Sequence, residues 1–543
     1  MDRGRPVSLS GVPTTDGSAD RHRSLIGAFH VVSGLTLLSR LGGLARDLIT
    51  ARVFQDTLVG SAFAAAFQIP NLFRRLLGEG ALSAAFLPEY ASAIRDEPEV
   101  APRLASLTLG LLLLVAGVLT GLIEIVLWLV LALNPENPDR AFAIRLMMVL
   151  LPFMPMICAS AVMGGMLQVH GRFALPAVAP LLLNLFIIAA GLWHFATAGQ
   201  PRSTAFIMAG ATLVAGGVHV ALSAASLRGR VQLRRVISGA GDRTRRMLRR
   251  FLPVLIGLGT LQLNTLLDTL IAMWPVWVGA SILGHTYPLD ASSNAILSYT
   301  TRLYQFPLGV FGIAVATAVF PLLSRDAPDA GAFLDTLRRG LRLSLFIALP
   351  SSAGLLLVRA DLPAVMYGGA SGFSDSGIVR SAAVLAAYAP AVWAYSINHV
   401  LTRAFYARGD TRTPMRIAVG IVALNLVLNL VLIWPLAEAG LAAATSLSSI
   451  AQSIILWRAG RGLIEGRIAD APTIASILRT GVATVGMAAP VAAMLMAWHE
   501  PATWTGHLLR LGATCTLGVV LFALAATTLR CPELRWLARR DPG

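Results

Sequence analysis

From residue 25 to residue 529 the chain runs in long apolar blocks separated by short polar breaks, each block long enough to cross a hydrocarbon core of about 30 Å as a helix. The blocks fall at 25–54, 58–84, 104–133, 140–169, 173–196, 203–226, 247–278, 292–322, 335–358, 377–407, 413–434, 438–458, 473–498 and 507–529. This pattern predicts an all-α polytopic membrane protein with about fourteen transmembrane helices. Arginines crowd alternate connections: Arg95 and Arg103, Arg172, the run from Arg228 to Arg250, then Arg325 to Arg342, Arg403 to Arg416 and Arg458 to Arg467. The intervening connections carry chiefly Arg140, Arg202, Arg359 and Arg380. The positive-inside rule then places both termini in the cytoplasm, which requires an even number of spans.

Two short motifs recur at nearly one offset. Phe67-Gln-Ile-Pro70 returns as Tyr304-Gln-Phe-Pro307, and Gly171-Arg-Phe-Ala-Leu-Pro176 returns as Gly409-Asp-Thr-Arg-Thr-Pro414. The recurrence suggests a duplication of a six-helix unit, giving two pseudo-symmetric six-helix lobes with two further C-terminal helices outside the repeat. An even number of helices per unit relates the lobes by an axis along the membrane normal, with the ligand site between them. The expected division is a cytoplasmic tail at 1–24, an N-terminal lobe at 25–227 and a basic cytoplasmic connector at 228–250. A C-terminal lobe at 251–460, two extra helices at 472–530 and a cytoplasmic tail at 531–543 follow.

Composition narrows the class further. The 543 residues are 56% hydrophobic and 13% charged, against roughly 25% charged in soluble domains. The net charge of +16 comes from arginine alone, since the chain contains no lysine, and topology accounts for most of it without nucleic acid as a partner. Cys158, Cys515 and Cys531 lack the spacing of a disulfide framework or a zinc site. No Walker A motif and no G-x-S-x-G nucleophile motif is present, so ATP hydrolysis and serine chemistry are disfavoured and a transporter is expected rather than an enzyme.

Against this apolar background the charges inside the blocks stand out. Arg40, Arg46, Asp47 and Arg52 lie in the first block, where each guanidinium at mid-membrane costs about 2.5–3.5 kcal/mol unless it meets water or an anion. Arg40 and Asp47 share a helix face, whereas Arg46 is turned from Arg40 by about 120°. Gly42 and Gly43 between them allow bending or close helix approach. The second block reads Pro70-Asn-Leu-Phe-Arg-Arg-Leu-Leu-Gly-Glu-Gly80, a discontinuous helix of the kind that lines cavities, with Arg75 and Glu79 at i,i+4 and Arg74 as the remaining donor. Arg302 precedes Pro307 in the repeat-equivalent block. Three arginines from three helices suit a diphosphate, because a guanidinium donates two parallel hydrogen bonds and stays charged when poorly solvated. The competing reading of Arg46 is a packing ion pair with Asp47 or Glu79.

A second polar group comprises Asp268, Asn425, Asn429 and Thr445, all oxygen-bearing. It offers a candidate Na+ site, with interhelical hydrogen bonding as the equal alternative and no other cofactor implied.

Leu38-Ser-Arg-Leu-Gly-Gly-Leu-Ala-Arg-Asp47, Pro70-Asn-Leu-Phe-Arg-Arg-Leu-Leu-Gly-Glu-Gly-Ala-Leu-Ser-Ala-Ala-Phe-Leu-Pro88, Arg302-Leu-Tyr-Gln-Phe-Pro-Leu-Gly309 and Phe405-Tyr-Ala-Arg-Gly-Asp-Thr-Arg-Thr-Pro414 resemble the MurJ/MviN lipid II flippases. These belong to the multidrug/oligosaccharidyl-lipid/polysaccharide exporter superfamily. The resemblance implies transport of lipid II across the bacterial cytoplasmic membrane by alternating access for cell-wall synthesis, with membrane lipids and cell-wall synthesis proteins as surroundings. It implies that Arg46, Arg74 and Arg302 bind the diphosphate, that Arg40 sits near the cytoplasmic side, and that Asp47, Arg75 and Glu79 complete the motif. It also implies a sodium site at Asp268, Asn425, Asn429 and Thr445. The sequence departs from the family's pattern at two positions: Asn429 stands where relatives can have a carboxylate, which lowers the charge of the sodium site, and Ser61 where many carry aspartate, so no role tied to that acid carries over. The rival readings are a flippase for another polyprenyl-diphosphate-linked oligosaccharide, a drug/cation antiporter, and a membrane enzyme acting on prenyl diphosphates.

Overall fold

The computed structural model describes residues 34–35, 38–76, 81–229, 231, 241–282, 284–463 and 468–538. Helix α1 spans 38–54, followed by α2 (Leu58–Phe73), α3 (Ala81–Asp96), α4 (Ala101–Leu133), α5 (Pro138–Leu150), α6 (Phe153–Val169), α7 (Ala174–Thr197) and α8 (Pro201–Leu227). Then come α9 (Gly241–Ala272), the single turn α10 (Trp274–Trp277), a hairpin of β1 (Ser281–Ile282) and β2 (His285–Thr286), α11 (Ser293–Pro307) and α12 (Ile313–Asp326). The hairpin is antiparallel, with Ser281 opposite Thr286 and Ile282 opposite His285. The remainder is helical: α13 (Ala330–Leu357), α14 (Asp361–Tyr367), α15 (Asp375–Tyr388), α16 (Ala391–Ala407), α17 (Arg412–Leu436), α18 (Glu438–Leu463), α19 (Ala471–Ala497), α20 (Trp504–Thr528) and α21 (Pro532–Ala538).

Ten helical stretches are long and apolar enough to cross a membrane among the described residues. The described residues of the predicted blocks at 25–54, 58–84, 247–278 and 292–322 are largely helical as well, and these blocks carry the breaks and the charges. In α2, Pro70 withholds the N–H that would pair with the Ala66 carbonyl, and a π-helical turn follows at 74–76. In α11, Pro307 does the same for the Leu303 carbonyl, and the π-helical turn Leu308–Gly312 follows. The repeated motif therefore encodes a repeated backbone distortion. The second motif behaves likewise: Gly171 and Gly409 both take positive φ, +73° and +79°. Each closes its helix by donating from its N–H, to the Gln168 and Tyr406 carbonyls, while the next residue donates to Leu167 and Phe405. The duplication is visible in hydrogen bonds as well as in letters.

Burial separates lining from periphery. The apolar windows of α4, α17 and α20 are only 11%, 17% and 17% buried, whereas that of α5–α6 is 61% and that of α18 is 56% buried. Lipid tails give no hydrophobic reason for helices to associate, so the inner contacts rely on small and hydroxyl side chains. Ala62, Ala65 and Ala66 of α2 and Ala442, Ala444 and Ser448 of α18 are all buried. Polar links add to this: Asn398 of α16 donates to the Ser449 carbonyl of α18 at 3.0 Å, and Ser453 donates back to Asn398 Oδ1 at 2.8 Å. Large cores fill each lobe, around Phe63, Phe142, Leu150 and Met208 in the first and around Leu323, Phe333, Leu337 and Phe405 in the second.

The connections gather in two sets, as alternation of spans requires. At the arginine-rich end, Arg243 of α9 donates to Glu97 at 2.6 Å, Arg338 meets Asp470 at 3.2 Å, and Arg342 meets the fully buried Glu533 of α21 at 2.7 Å. At the opposite end Arg380 joins Asp290 at 3.0 Å and also Glu438. Burial alone would raise the Asp290 carboxyl, but the hydrogen bonds from Arg380 and Ser292 outweigh it and hold the group at about 2. Also at that end, Asp361 is buried and receives Arg510 at 2.9 Å and His507 at 2.7 Å, tying α20 to the C-terminal lobe. The last two helices, which the repeat does not explain, are thus fastened to the second lobe at both ends.

The predicted connector is partly helical: α9 begins at Gly241, so the stretch from there to Arg250 continues into the seventh block rather than forming a loop. The N-terminal tail at 1–24, residues 232–240 of the connector and the last residues of the C-terminal tail lie outside the described residues.

Candidate functional site

The lobes meet where α2 packs on α11. Gly60 lets the backbones close: a Cβ there would stand 3.2 Å from Ala295 Cβ and 2.6 Å from the Gln55 carbonyl oxygen. Ser61 accepts from the Ala295 N–H at 2.9 Å, and Asn294 donates to the Ser61 carbonyl at 2.8 Å. Asp56, in the turn before α2, accepts from the Ser374 N–H at 2.8 Å at the start of α15. These contacts seal the end opposite the arginine-rich loops. Ser61 keeps a hydrogen-bond acceptor at the head of α11, although it carries no charge.

Inward from this seal a cavity opens in two compartments. The smaller, about 190 Å³, reaches the C-terminal lobe and is walled by Asp268, Tyr304, Tyr388, Tyr395 and Thr445. The larger, about 490 Å³, reaches into the N-terminal lobe between α6, α7 and α8. Arg46, Phe67, Asn71, Arg75 and Arg302 line both, so they form the neck between them. Arg74 lines the larger compartment and Asp47 the smaller.

The neck's geometry is set by one carboxylate and one amide. Asp47 Oδ1 accepts from Arg46 Nε at 3.0 Å and Nη2 at 2.7 Å, while its Oδ2 lies 3.6 Å from Arg302 Nε. The Arg46 guanidinium also lies over the Phe67 ring at 5.7 Å, a cation–π contact on its apolar side. Arg74 donates through Nε and Nη2 to Asn71 Oδ1 at 3.0 and 2.8 Å. Arg46 therefore does make the packing ion pair with Asp47, and it still faces the cavity. Arg74, expected as a free donor, is held by Asn71 one turn earlier. Arg302 remains 42% exposed with its single loose carboxylate contact. Among the described residues, Arg46, Arg74, Arg75 and Arg302 line the cavity against Asp47 and Asp268, an excess of two positive charges.

Of the other sequence-predicted residues, Arg40 is exposed and does not line either compartment. Glu79 lies outside the described residues. Gly42 abuts Asn184 of α7, whose amide donates to the Ser39 carbonyl at 3.1 Å, so the glycine pair serves close helix approach. The patterns that sequence reading missed are Asn71 as the clamp on Arg74, Phe67 under Arg46, the tyrosine wall, and His219 and Gln168 in the larger compartment. The Asn71 position was readable as i−3 from Arg74; the others depend on tertiary packing.

The candidate sodium ligands are drawn together, but as a hydrogen-bonded chain. Asn429 Nδ2 donates to Asp268 Oδ1 at 2.6 Å and to Asn425 Oδ1 at 3.0 Å, and Asn425 donates to Ser448 Oγ at 3.2 Å. Thr445 Oγ donates to the Leu441 carbonyl of its own helix. As oriented, the Asn429 amide directs an N–H at Asp268, which is the interhelical hydrogen-bonding arrangement, and its Oδ1 is left buried without a partner. Among the described residues no three His, Cys, Asp or Glu side chains cluster as a metal site.

The family model of the lipid II flippase MurJ matches residues 50–513. The chain belongs to the MurJ lipid II flippase family. It is 30% identical over 520 residues to the probable lipid II flippase MurJ of Rhizobium tropici, covering 92% of this chain and 93% of that one. It is 31% identical over 445 residues to that of Vibrio cholerae, covering 79% and 81%. With the lipid II flippase MurJ of Burkholderia cenocepacia it shares 29% identity over 501 residues, covering 89% and 92%. The fold is similar to a solved lipid II flippase MurJ in an inward closed conformation, at TM-score 0.75 and 21% identity, over 94% of this chain and 99% of the other. It is also similar to an inward-facing multidrug resistance MATE transporter of the MOP superfamily, at TM-score 0.65 and 15% identity, over 80% and 97%. The MurJ family thus supplies the two-lobed transporter fold, and the arginine neck is what this chain places between the lobes.

Proposed function

We propose that this protein moves lipid II from the inner to the outer leaflet of the bacterial cytoplasmic membrane by alternating access, with the diphosphate held at the arginine neck. The observation that carries the reading is the convergence of guanidinium groups from α1, α2 and the repeat-equivalent α11 on one opening. A drug/cation antiporter needs the opposite sign. The arginine-rich end and both termini face the cytoplasm in this reading, as the positive-inside rule directs.

The neck operates by exchange of anions. Without ligand, Asp47 partly neutralises Arg46 and Arg302; a diphosphate oxygen takes over at Arg302, whose contact with Asp47 is the looser one. Arginine forks then draw α1, α2 and α11 together, which stabilises a state closed toward the cytoplasm more than the open one, as a ligand-driven population shift requires. The Ser61–Ala295, Asn294–Ser61 and Asp56–Ser374 contacts are then broken to open the other face. An inside-negative potential favours the loaded step: moving two negative charges outward across 100 mV yields about 4–5 kcal/mol. In this reading the potential can drive transport without ATP.

Depletion of the protein from its host, with lipid II in intact spheroplasts probed by an externally added lipid II-cleaving enzyme, tests the reading. Accessible lipid II is expected to collapse while total lipid II accumulates, and Arg46→Ala, Arg74→Ala or Arg302→Ala, present in the membrane at normal level, is expected not to restore access. Unchanged access on depletion would transfer the function to another polyprenyl-diphosphate-linked oligosaccharide.

A further inference from the structure

A diphosphate gripped at the neck has two spaces into which the rest of its headgroup can extend, and they differ in size and chemistry. The N-terminal-lobe compartment, at about 490 Å³, lies within the range of pockets that enclose ligands, about 300–1,000 Å³, whereas the other, at about 190 Å³, falls below it. The smaller one also holds the Asp268 carboxylate and a tyrosine wall. Among its described lining residues the larger one has no carboxylate; Ala161 and Ala179 lie in its wall, and Gly165 and Gly216 let Leu87 and Phe153 pack close to the helix backbones that bound it.

We propose that the compartment between α6, α7 and α8 is the subsite for the neutral sugars attached to the diphosphate, with His219, Gln168 and Ser160 as its hydrogen-bonding groups. The proposal rests on the flippase reading above and assigns the sugars to one lobe. His219 Nε2 is buried with no partner, an unmet capacity that a sugar hydroxyl or acetamido group satisfies. Ser160 Oγ donates to the Met156 carbonyl at 2.9 Å and keeps its lone pairs for a donor. Gln168 is exposed at the arginine-rich end of α6 and brings both an amide donor and an acceptor to the mouth. Pro180, within α7, has no N–H for the carbonyl of Pro176, a residue that also lines the compartment. Neutral donors and acceptors around a space without carboxylates match polyhydroxylated, amide-bearing sugars rather than a cation or an apolar tail.

The test compares two ligands on the purified full-length protein: lipid II, and undecaprenyl diphosphate, which has the diphosphate and tail but no sugar. Ala161→Trp, which fills the compartment away from the neck, is expected to weaken lipid II binding at least tenfold and leave undecaprenyl diphosphate within twofold. His219→Ala is expected to weaken lipid II alone by about fivefold, and it decides the matter if the tryptophan variant does not fold. Lipid II affinity within twofold of the parent in these variants, or an equal loss of both ligands in His219→Ala, overturns the subsite. Arg302→Ala separates this from the reading beneath it: it is expected to weaken both ligands, and undecaprenyl diphosphate binding that survives Arg302→Ala overturns the neck itself.

Discussion

Asp47 sits between two guanidinium groups and decides how strongly the empty cavity attracts an anion. It is bound tightly by Arg46, at 2.7 Å, and loosely by Arg302, at 3.6 Å. Asp47→Asn removes the competing charge while keeping the side-chain size, so diphosphate affinity is expected to rise about five- to tenfold, or about 1–1.4 kcal/mol. Titration of the purified variant with undecaprenyl diphosphate measures this; a weaker affinity means that Asp47 chiefly holds the arginines in position. At this scale the sequence was largely legible, because an ionised group in an apolar block announces itself: Arg46, Asp47, Arg74, Arg75 and Arg302 all line the cavity. Pairing was disclosed only in part: the Arg46–Asp47 ion pair stood as one of two alternatives, while the Asp47–Arg302 contact and the Asn71 clamp on Arg74 did not appear. Helix periodicity turns Arg46 away from Arg40 but does not choose between Asp47 and Glu79 as its partner, nor does it show that Arg302 shares the Asp47 carboxylate. Arg40, also charged in an apolar block, proved exposed rather than part of the lining.

Two prolines and two glycines, repeated between the lobes, shape the elements that matter most. The π-helical turns after Pro70 and Pro307 place Arg74 within one and Arg302 just before the other, where a distorted ladder lines a cavity at least cost. Prolines and glycines were readable as breaks, whereas the π geometry depends on how neighbouring helices press on them. The junction of α2 with α11 depends on Gly60. Gly60→Val is expected to pry it apart, exposing Asn294, which is 2% exposed in the closed junction. Labelling of an Asn294→Cys variant by a membrane-impermeant maleimide should then increase several-fold on adding Gly60→Val; unchanged labelling would place the seal elsewhere.

Across the whole molecule, hydropathy and arginine spacing conveyed the architecture because the membrane constrains both: every block must satisfy its backbone internally, and loops alternate in charge. The duplicated lobes followed from two short motifs whose hydrogen bonds repeat. Less legible was how the last two helices attach, since the Asp361–Arg510 and Arg342–Glu533 pairs join residues far apart in sequence. A transporter driven by the membrane potential alone is expected to be indifferent to sodium: replacing sodium by choline in proteoliposomes should change the transport rate less than twofold, and a tenfold loss would point to a cation site at Asp268, Asn425, Asn429 and Thr445. The central claim, that the arginine neck carries the diphosphate across, is tested most directly in those same proteoliposomes. Lipid II incorporated on the side of the arginine-rich end is followed by its accessibility to a cleaving enzyme on the other side, for the parent protein and for Arg302→Ala. Rapid transfer by the parent, at least tenfold slower in the variant and accelerated by a potential negative on the arginine-rich side, is the predicted result; equal transfer by both proteins would contradict the account.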